Sequence, residues 1–152
     1  MKIDDRVEAL VREALDAAVK QDQRRFEAGL VRVAEAGLSG KALELLVAIT
    51  AFIVLDIHSG KPSGGQLTDL ANSVSDQEAW VDLAQSEVHA YLGAVVRTEP
   101  MAKVLSPQAL VVVPYLTAAN LLTTVSKPDQ GEWWFNYLDK VEAVIERSTA
   151  FT

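Results

Sequence analysis

The chain contains no cysteine, which excludes a disulfide framework, a thiolate nucleophile and any zinc site built on thiolates. Histidine is nearly as scarce, at two residues, so a metal would have to be held by carboxylates. Neither His58 nor His89 has a glutamate three residues before it, so the Glu-x-x-His pattern of di-iron bundles is missing too. No cofactor or metal is expected. No Walker A, GxGxxG or GxSxG motif occurs, which removes the sequence signals for phosphate cradles and nucleophile elbows. Basic residues are also few, 14 against 21 acidic for a net charge of −7. Displacing counterions from a phosphate backbone needs the opposite balance, so a nucleic-acid partner is not expected and a basic protein partner is favoured. The densest basic group, Lys20, Arg24, Arg25 and Arg32, is interleaved with Asp16, Asp22, Glu27 and Glu35 and reads as a solvated helix face.

Long apolar runs are missing as well. The longest, over 45–55 and interrupted by Thr50, falls short of the roughly 20 residues that cross a bilayer. Met1-Lys2-Ile3-Asp4-Asp5 shows no basic stretch leading into an apolar one, so neither a signal peptide nor a membrane partner is expected, and a cytoplasmic location is. What remains is 152 residues, 49% of them apolar, with a mean hydropathy of +0.13. That length suits one domain spanning 1–152, and the apolar share is high for so small a domain.

The pattern throughout is helical. Apolar residues recur at three- and four-residue spacing from Ile3 to Ala18 and again at Phe26, Leu30 and Val33. Asp5 with Glu8, Ser75 with Glu78 and Asp129 with Glu132 each read as a capping box, and Asp22, Ser39 and Ser106-Pro107 as further helix starts. Gly29 inside the second helix implies a close crossing, and Gly37-Leu38 a C-terminal cap. The Ser/Gly/Pro-rich stretch 59–65 reads as a flexible loop, followed by a short helix over 66–74 and a long one over 75–97 with Trp80 in its first turn. Over 109–125, Val111-Val112-Val113 favours a strand locally, but Pro114 and the helical flanks point to one kinked helix or two. The expected fold is an all-α bundle of six to seven helices. Two of them, over 43–57 and 109–125, are apolar all round and therefore central.

Five residues stand out as candidate ligand or interface positions: Asp56, His58, Tyr115, Asn120 and Trp133. Asp56 sits at the negative end of its helix, so a compensating partner such as Arg97 or Lys61 is expected. His58 at the same end is favoured by the dipole and needs no functional explanation. His89 forms a row with Asp82 and Ser86 on one helix, which cannot converge on a substrate, so surface hydrogen bonding is its expected role. Asn120, with Tyr115 and three threonines nearby, must be hydrogen-bonded if buried, and a tie between helices is favoured over the polar end of a cavity. In Trp133-Trp134-Phe135 adjacent side chains point about 100° apart. Trp134 is assigned inward, together with Leu138, Val141 and Ile145. Trp133 is assigned cover by its own domain, with an interface anchor as the alternative. No catalytic residue emerges. The surplus of apolar helix surface points to a non-enzymatic protein that acts through protein–protein contacts. It would be a homodimer, or an inhibitor or immunity-like protein for a basic partner. The alternative is a bundle enclosing a small apolar ligand between its two central helices.

Overall fold

The centre of the molecule is a helix with a proline in its middle. In the computed structural model, which describes residues 1–148, Pro107–Val125 is one helix despite Pro114, capped at its start by the Ser106 hydroxyl, which accepts from the Ala109 amide at 3.2 Å. Every residue from Val113 to Leu122 is buried. Proline costs the ladder one hydrogen bond there, and apolar packing on all sides outweighs it. Among the described residues there are seven α-helices and no strand. They are α1 (Asp5–Val19), α2 (Gln23–Glu35), α3 (Ser39–His58), α4 (Gly64–Gln77), α5 (Gln85–Arg97), α6 (Pro107–Val125) and α7 (Trp134–Arg147). Around α6 pack α1, α3, α5 and α7, while α2 pairs with α1 and α4 with α5. By length and composition α6 could cross a membrane, but 61% of its apolar window is buried within this protein, as in the core helix of any all-α fold.

The first hairpin is dictated locally. Asp22 caps α2 by accepting from the Arg25 amide. Gly37, at φ 71°, ends it in a Schellman turn, with Gly37 N–H on Ala34 O and Leu38 N–H on Val33 O. Gly29 meets α1 as its sequence context implies: a Cβ there would lie 3.3 Å from the Ala14 Cβ and 3.4 Å from its Cα. Of the basic cluster, Lys20 and Arg25 pair with Asp16, and Arg25 also with Glu13.

The capping expectations fare worse. Asp4, not Asp5, caps α1, accepting from the Arg6 and Val7 amides at 2.8 and 3.2 Å. Burial of Ile3 and Val7 sets the register one residue earlier. Ser39 makes no cap, because the Schellman turn already spends Leu38, which also serves as the N-cap of α3. The helix expected over 75–97 is broken. Ser75 lies inside α4, Glu78 is its C-cap, residues 78–84 are non-helical, and α5 starts at Gln85. Asp129 and Glu132 make no box either, since Gly131 between them adopts φ 78°, which no right-handed helix continues. Glu132 instead pairs with Lys140, and Asn136 caps α7 by accepting from the Trp133 amide at 3.0 Å. A capping box does occur where none was expected: Ser63 and Gln66 exchange side-chain and backbone bonds at 3.2 and 2.8 Å. Gly64 and Gly65 thus belong to the first turn of α4, and the loop stops at Ser63.

One electrostatic clasp holds α1 to α7. Arg12 pairs with Glu8 on its own helix and with Asp139 and Glu142 across the interface. Burial, and then the nearby Glu8 carboxylate, raise the Glu142 carboxyl from 4.5 to about 7 against the pull of Arg12. Below pH 4.5 folded and unfolded chains both hold this proton. Above that the folded chain holds it longer, so this group's contribution to stability falls as pH rises, and the loss is complete above about 7. Between pH 5 and 8 the wild type should therefore lose on the order of 2 kcal/mol relative to Glu142→Gln. Urea melts of both proteins at the two pH values measure the difference; equal pH dependence would remove the assignment.

Candidate functional site

The five candidate residues are dispersed over the fold. Asp56, exposed near the end of α3, accepts from the Tyr137 hydroxyl of α7 at 3.0 Å. Neither Arg97 nor Lys61 reaches it, and Arg97 pairs with Glu99 instead. A neutral phenol thus takes the place expected of a cation, because α7 packs against this end of α3 while α5 carries its arginine elsewhere. Burial and this carboxylate both push the Tyr137 hydroxyl upward, so it stays protonated and donates. His58 Nδ1 donates to Val54 O at 2.8 Å, and His89 Nε2 lies 3.4 Å from the Thr68 hydroxyl. No hydrogen bond joins any two of Asp56, His58 and His89. Among the described residues no group of three or more His, Asp or Glu is placed to hold a metal.

Asn120 is the tie its context implies. At 5% exposure it donates to Gln77 Oε1 at 2.8 Å and Glu78 Oε2 at 2.9 Å, binding α6 to the end of α4. The other Glu78 oxygen accepts from Trp80 Nε1 at 2.9 Å. Glu78 stands one turn beyond the buried Val74, on the same inward side, and takes these bonds where α4 ends. A buried carboxylate held by neutral donors is unusual enough that periodicity could not have suggested it.

Trp133 corrects a second expectation. It is 54% exposed and Phe135 42%, so Trp133 is not covered by its own domain. Trp134 is only half-buried, edge-on to Phe135 at 5.7 Å, while Tyr137, Leu138, Val141 and Ile145 fill the inward face of α7.

A broad apolar opening lies along α3. That helix is buried on one side by Leu45, Leu46, Ile49, Ile53 and Val54. Its other side is left open: Leu43, Val47 and Ala51 are only partly covered and Leu55 is 44% exposed. These four stand at intervals of four and form one stripe. Of the two helices expected to be central, α6 alone is enclosed along most of its length, and α3 is half a surface helix. Leu43, Val47 and Ala51 form one wall of a groove of about 670 Å³, opposite Met101, Ala102 and Leu110. Leu43 and Leu110 also wall a second hollow of about 240 Å³ between α2, α3 and α6, bordered by Leu30, Val33, Val111 and Tyr115. None of the groove residues was picked out from sequence, because a helix apolar all round carries no mark of its uncovered side. Tyr115, 5% exposed, packs edge-on against Phe26 at 6.1 Å.

The class defined by this architecture is an all-α helical bundle with an open apolar groove. Comparison with known proteins adds nothing more specific: no protein family, no curated protein and no solved structure matches the chain.

Proposed function

We propose that this chain is a non-enzymatic helical protein that acts by protein–protein contact, with the groove along α3 as its docking surface. One observation supports this reading above the others: Leu43, Val47, Ala51 and Leu55 form a continuous apolar stripe of which the first three are only partly covered by the rest of the chain and Leu55 is exposed. Water-exposed apolar surface of this extent is costly unless a partner removes it. The element that fits is a helix carrying its own apolar residues at three- and four-residue spacing, laid into the groove. Glu44 and Glu99 border the groove and the chain carries −7, so basic flanks on that helix are favoured. An inhibitor or immunity-like protein acting on a basic enzyme would use such a surface. A second copy of this chain would also fit, and its equal charge makes self-association strengthen as salt rises.

Val47→Glu tests the reading. Val47 is half-buried and packed against the core, so the substitution should cost about 1–2 kcal/mol and leave the chain folded, as circular dichroism would check, while placing a charge at the middle of the stripe. Sedimentation velocity at low and high salt, and titration with a synthetic basic amphipathic helix, should show association by the wild type and at least about tenfold weaker association by the variant. A wild type that stays monomeric at all salt concentrations and ignores the peptide would end the proposal.

A further inference from the structure

A polar hollow of about 220 Å³ is walled by the ends of two helices, Ala18 and Val19 of α1 and Gln77 and Glu78 at the end of α4, and by Asn120 and Thr123 of α6. The C-terminal end of a helix carries partial negative charge, and neither α1 nor α4 has a basic residue in its last turn to offset it. Glu78 adds a carboxylate. It is 7% exposed, and its two oxygens accept from Trp80 Nε1 and Asn120 Nδ2, both neutral, each at 2.9 Å. Among the described residues no lysine, arginine or histidine pairs with Glu78 or lines the hollow. A buried carboxylate is costly without a cation beside it, and the chain supplies none.

The acceptors are grouped. Asn120 Nδ2 donates to both Glu78 Oε2 and Gln77 Oε1, so a single nitrogen holds the two oxygens side by side, and all three residues line the hollow. A carboxylate or amide oxygen takes about two hydrogen bonds, and the described residues give one each to Glu78 Oε1, Glu78 Oε2 and Gln77 Oε1. Gln21 lines the same hollow from a left-handed backbone position, φ 54°. It lies in the turn that ends α1, with Gln21 N–H on Ala18 O and Asp22 N–H on Ala17 O. Glycine takes that conformation at least cost. A glutamine there gives up stability, and its side chain hydrogen-bonds no described residue, which leaves its amide to serve something else.

We infer that this hollow binds a small guanidinium compound, its N–H groups shared among the Glu78 carboxylate, Gln77 Oε1 and the Gln21 amide. A guanidinium presents five donors in one plane and matches a carboxylate with its fork, whereas an ammonium presents three and gives up its water less readily. A cavity of about 150 Å³ holds benzene, so about 220 Å³ has room for a guanidinium and a short alkyl chain. The site shares no residue with the groove along α3 and stands whether or not that groove docks a protein.

Titration of the intact, isotope-labelled protein with methylguanidinium, methylammonium, methylurea and potassium chloride at constant ionic strength, followed by NMR, separates charge from shape. Methylguanidinium should move the Trp80 indole N–H and the side-chain amides of Gln77 and Asn120, saturate by about 10 mM, and bind at least about tenfold tighter than the other three. Glu78→Gln keeps the size, removes the charge and should weaken methylguanidinium about tenfold or more. Gln21→Gly relieves the left-handed turn, so it should raise Tm by about 2–4 °C and still weaken methylguanidinium about threefold. A residue kept only for the fold would not give that opposite pair of effects. The inference is overturned if methylurea or potassium gives the same shifts at the same concentration, or if methylguanidinium shows no saturation by about 10 mM. It is equally overturned if Gln21→Gly, or a folded Glu78→Gln, keeps the wild-type affinity.

Discussion

Replacing Asn120 with leucine should cost the fold about 3 kcal/mol, a fall in Tm of about 6–12 °C for a chain of this length. Leucine suits the apolar surroundings of α6, so the cost comes from what it leaves behind. Glu78, at 7% exposure, would lose the donor at 2.9 Å and keep only Trp80 Nε1, and Gln77 would lose its donor at 2.8 Å. A buried carboxylate stripped of a donor bears most of its desolvation uncompensated. A polar hollow beside it, lined by Gln21, Gln77 and Thr123, admits water and keeps the loss from going higher. Urea denaturation followed by circular dichroism measures the loss. A double-mutant cycle with Glu78→Gln assigns it, because the neutral amide should return a third or more of the stability. A loss below about 1 kcal/mol would mean that the tie does not hold α6 to α4.

The second large effect lies at the crossing of α1 and α2. Gly29→Leu should destabilise by about 3 kcal/mol, the upper part of the usual range for overpacking. The first atom of any side chain there meets the Ala14 Cβ at 3.3 Å and, more tellingly, its backbone Cα at 3.4 Å, and Ala14 is fully buried. Neither helix can give without moving as a body. Gly29→Ala is the contrasting case. Its methyl asks for a shift of a few tenths of an ångström and gains up to about 1 kcal/mol of helix propensity, so it should stay within about 1 kcal/mol of the wild type. Phe26, one turn earlier, contacts Trp80 at 5.9 Å and Tyr115 at 6.1 Å, so near-ultraviolet circular dichroism reports any displacement of α2. Ala14→Gly should restore part of the loss in the leucine variant but do nothing for it if the strain lies elsewhere.

These two residues differ in how legible they were. Gly29 could be read from sequence because a glycine in an otherwise strong helical pattern has few reasons to be there, and close approach is the commonest. Asn120 was legible only in part. That a buried amide needs partners follows from its chemistry, but that the partners are Gln77 and Glu78 does not, since Glu78 was assigned to a capping box and nothing marked Gln77. Capping shows the same divide. Asp22, Ser106 and Gly37 act where expected because each has a single candidate role in its local stretch. Ser75 and Glu78 match a capping box in spacing and form none, since the carboxylate gains more from Asn120 and Trp80 than from a helix start. Asp129 and Glu132 match it equally well and are separated by a left-handed glycine.

The candidate sites divide in the same way. Tyr115 was singled out as a polar contact for a ligand between the two central helices, and it lies at the hollow between α2, α3 and α6. Asp56 was given a cationic partner and has a tyrosine, because which helix packs against the end of α3 is a tertiary matter. Trp133 was given cover and has little, for the same reason.

What the sequence by itself determined is everything that rests on periodicity and on the absence of residue types: the all-α class, the hairpin of α1 and α2 with its close crossing, the central place of α6, and the lack of thiolate or histidine-rich chemistry. Only the tertiary structure decided which side of α3 stays open. An amphipathic helix announces its buried face by composition, whereas a helix apolar all round buries whichever side its neighbours reach. The neighbours of α3 reach the side of Leu46, Ile49 and Ile53 and leave Leu43, Val47 and Ala51 only partly covered.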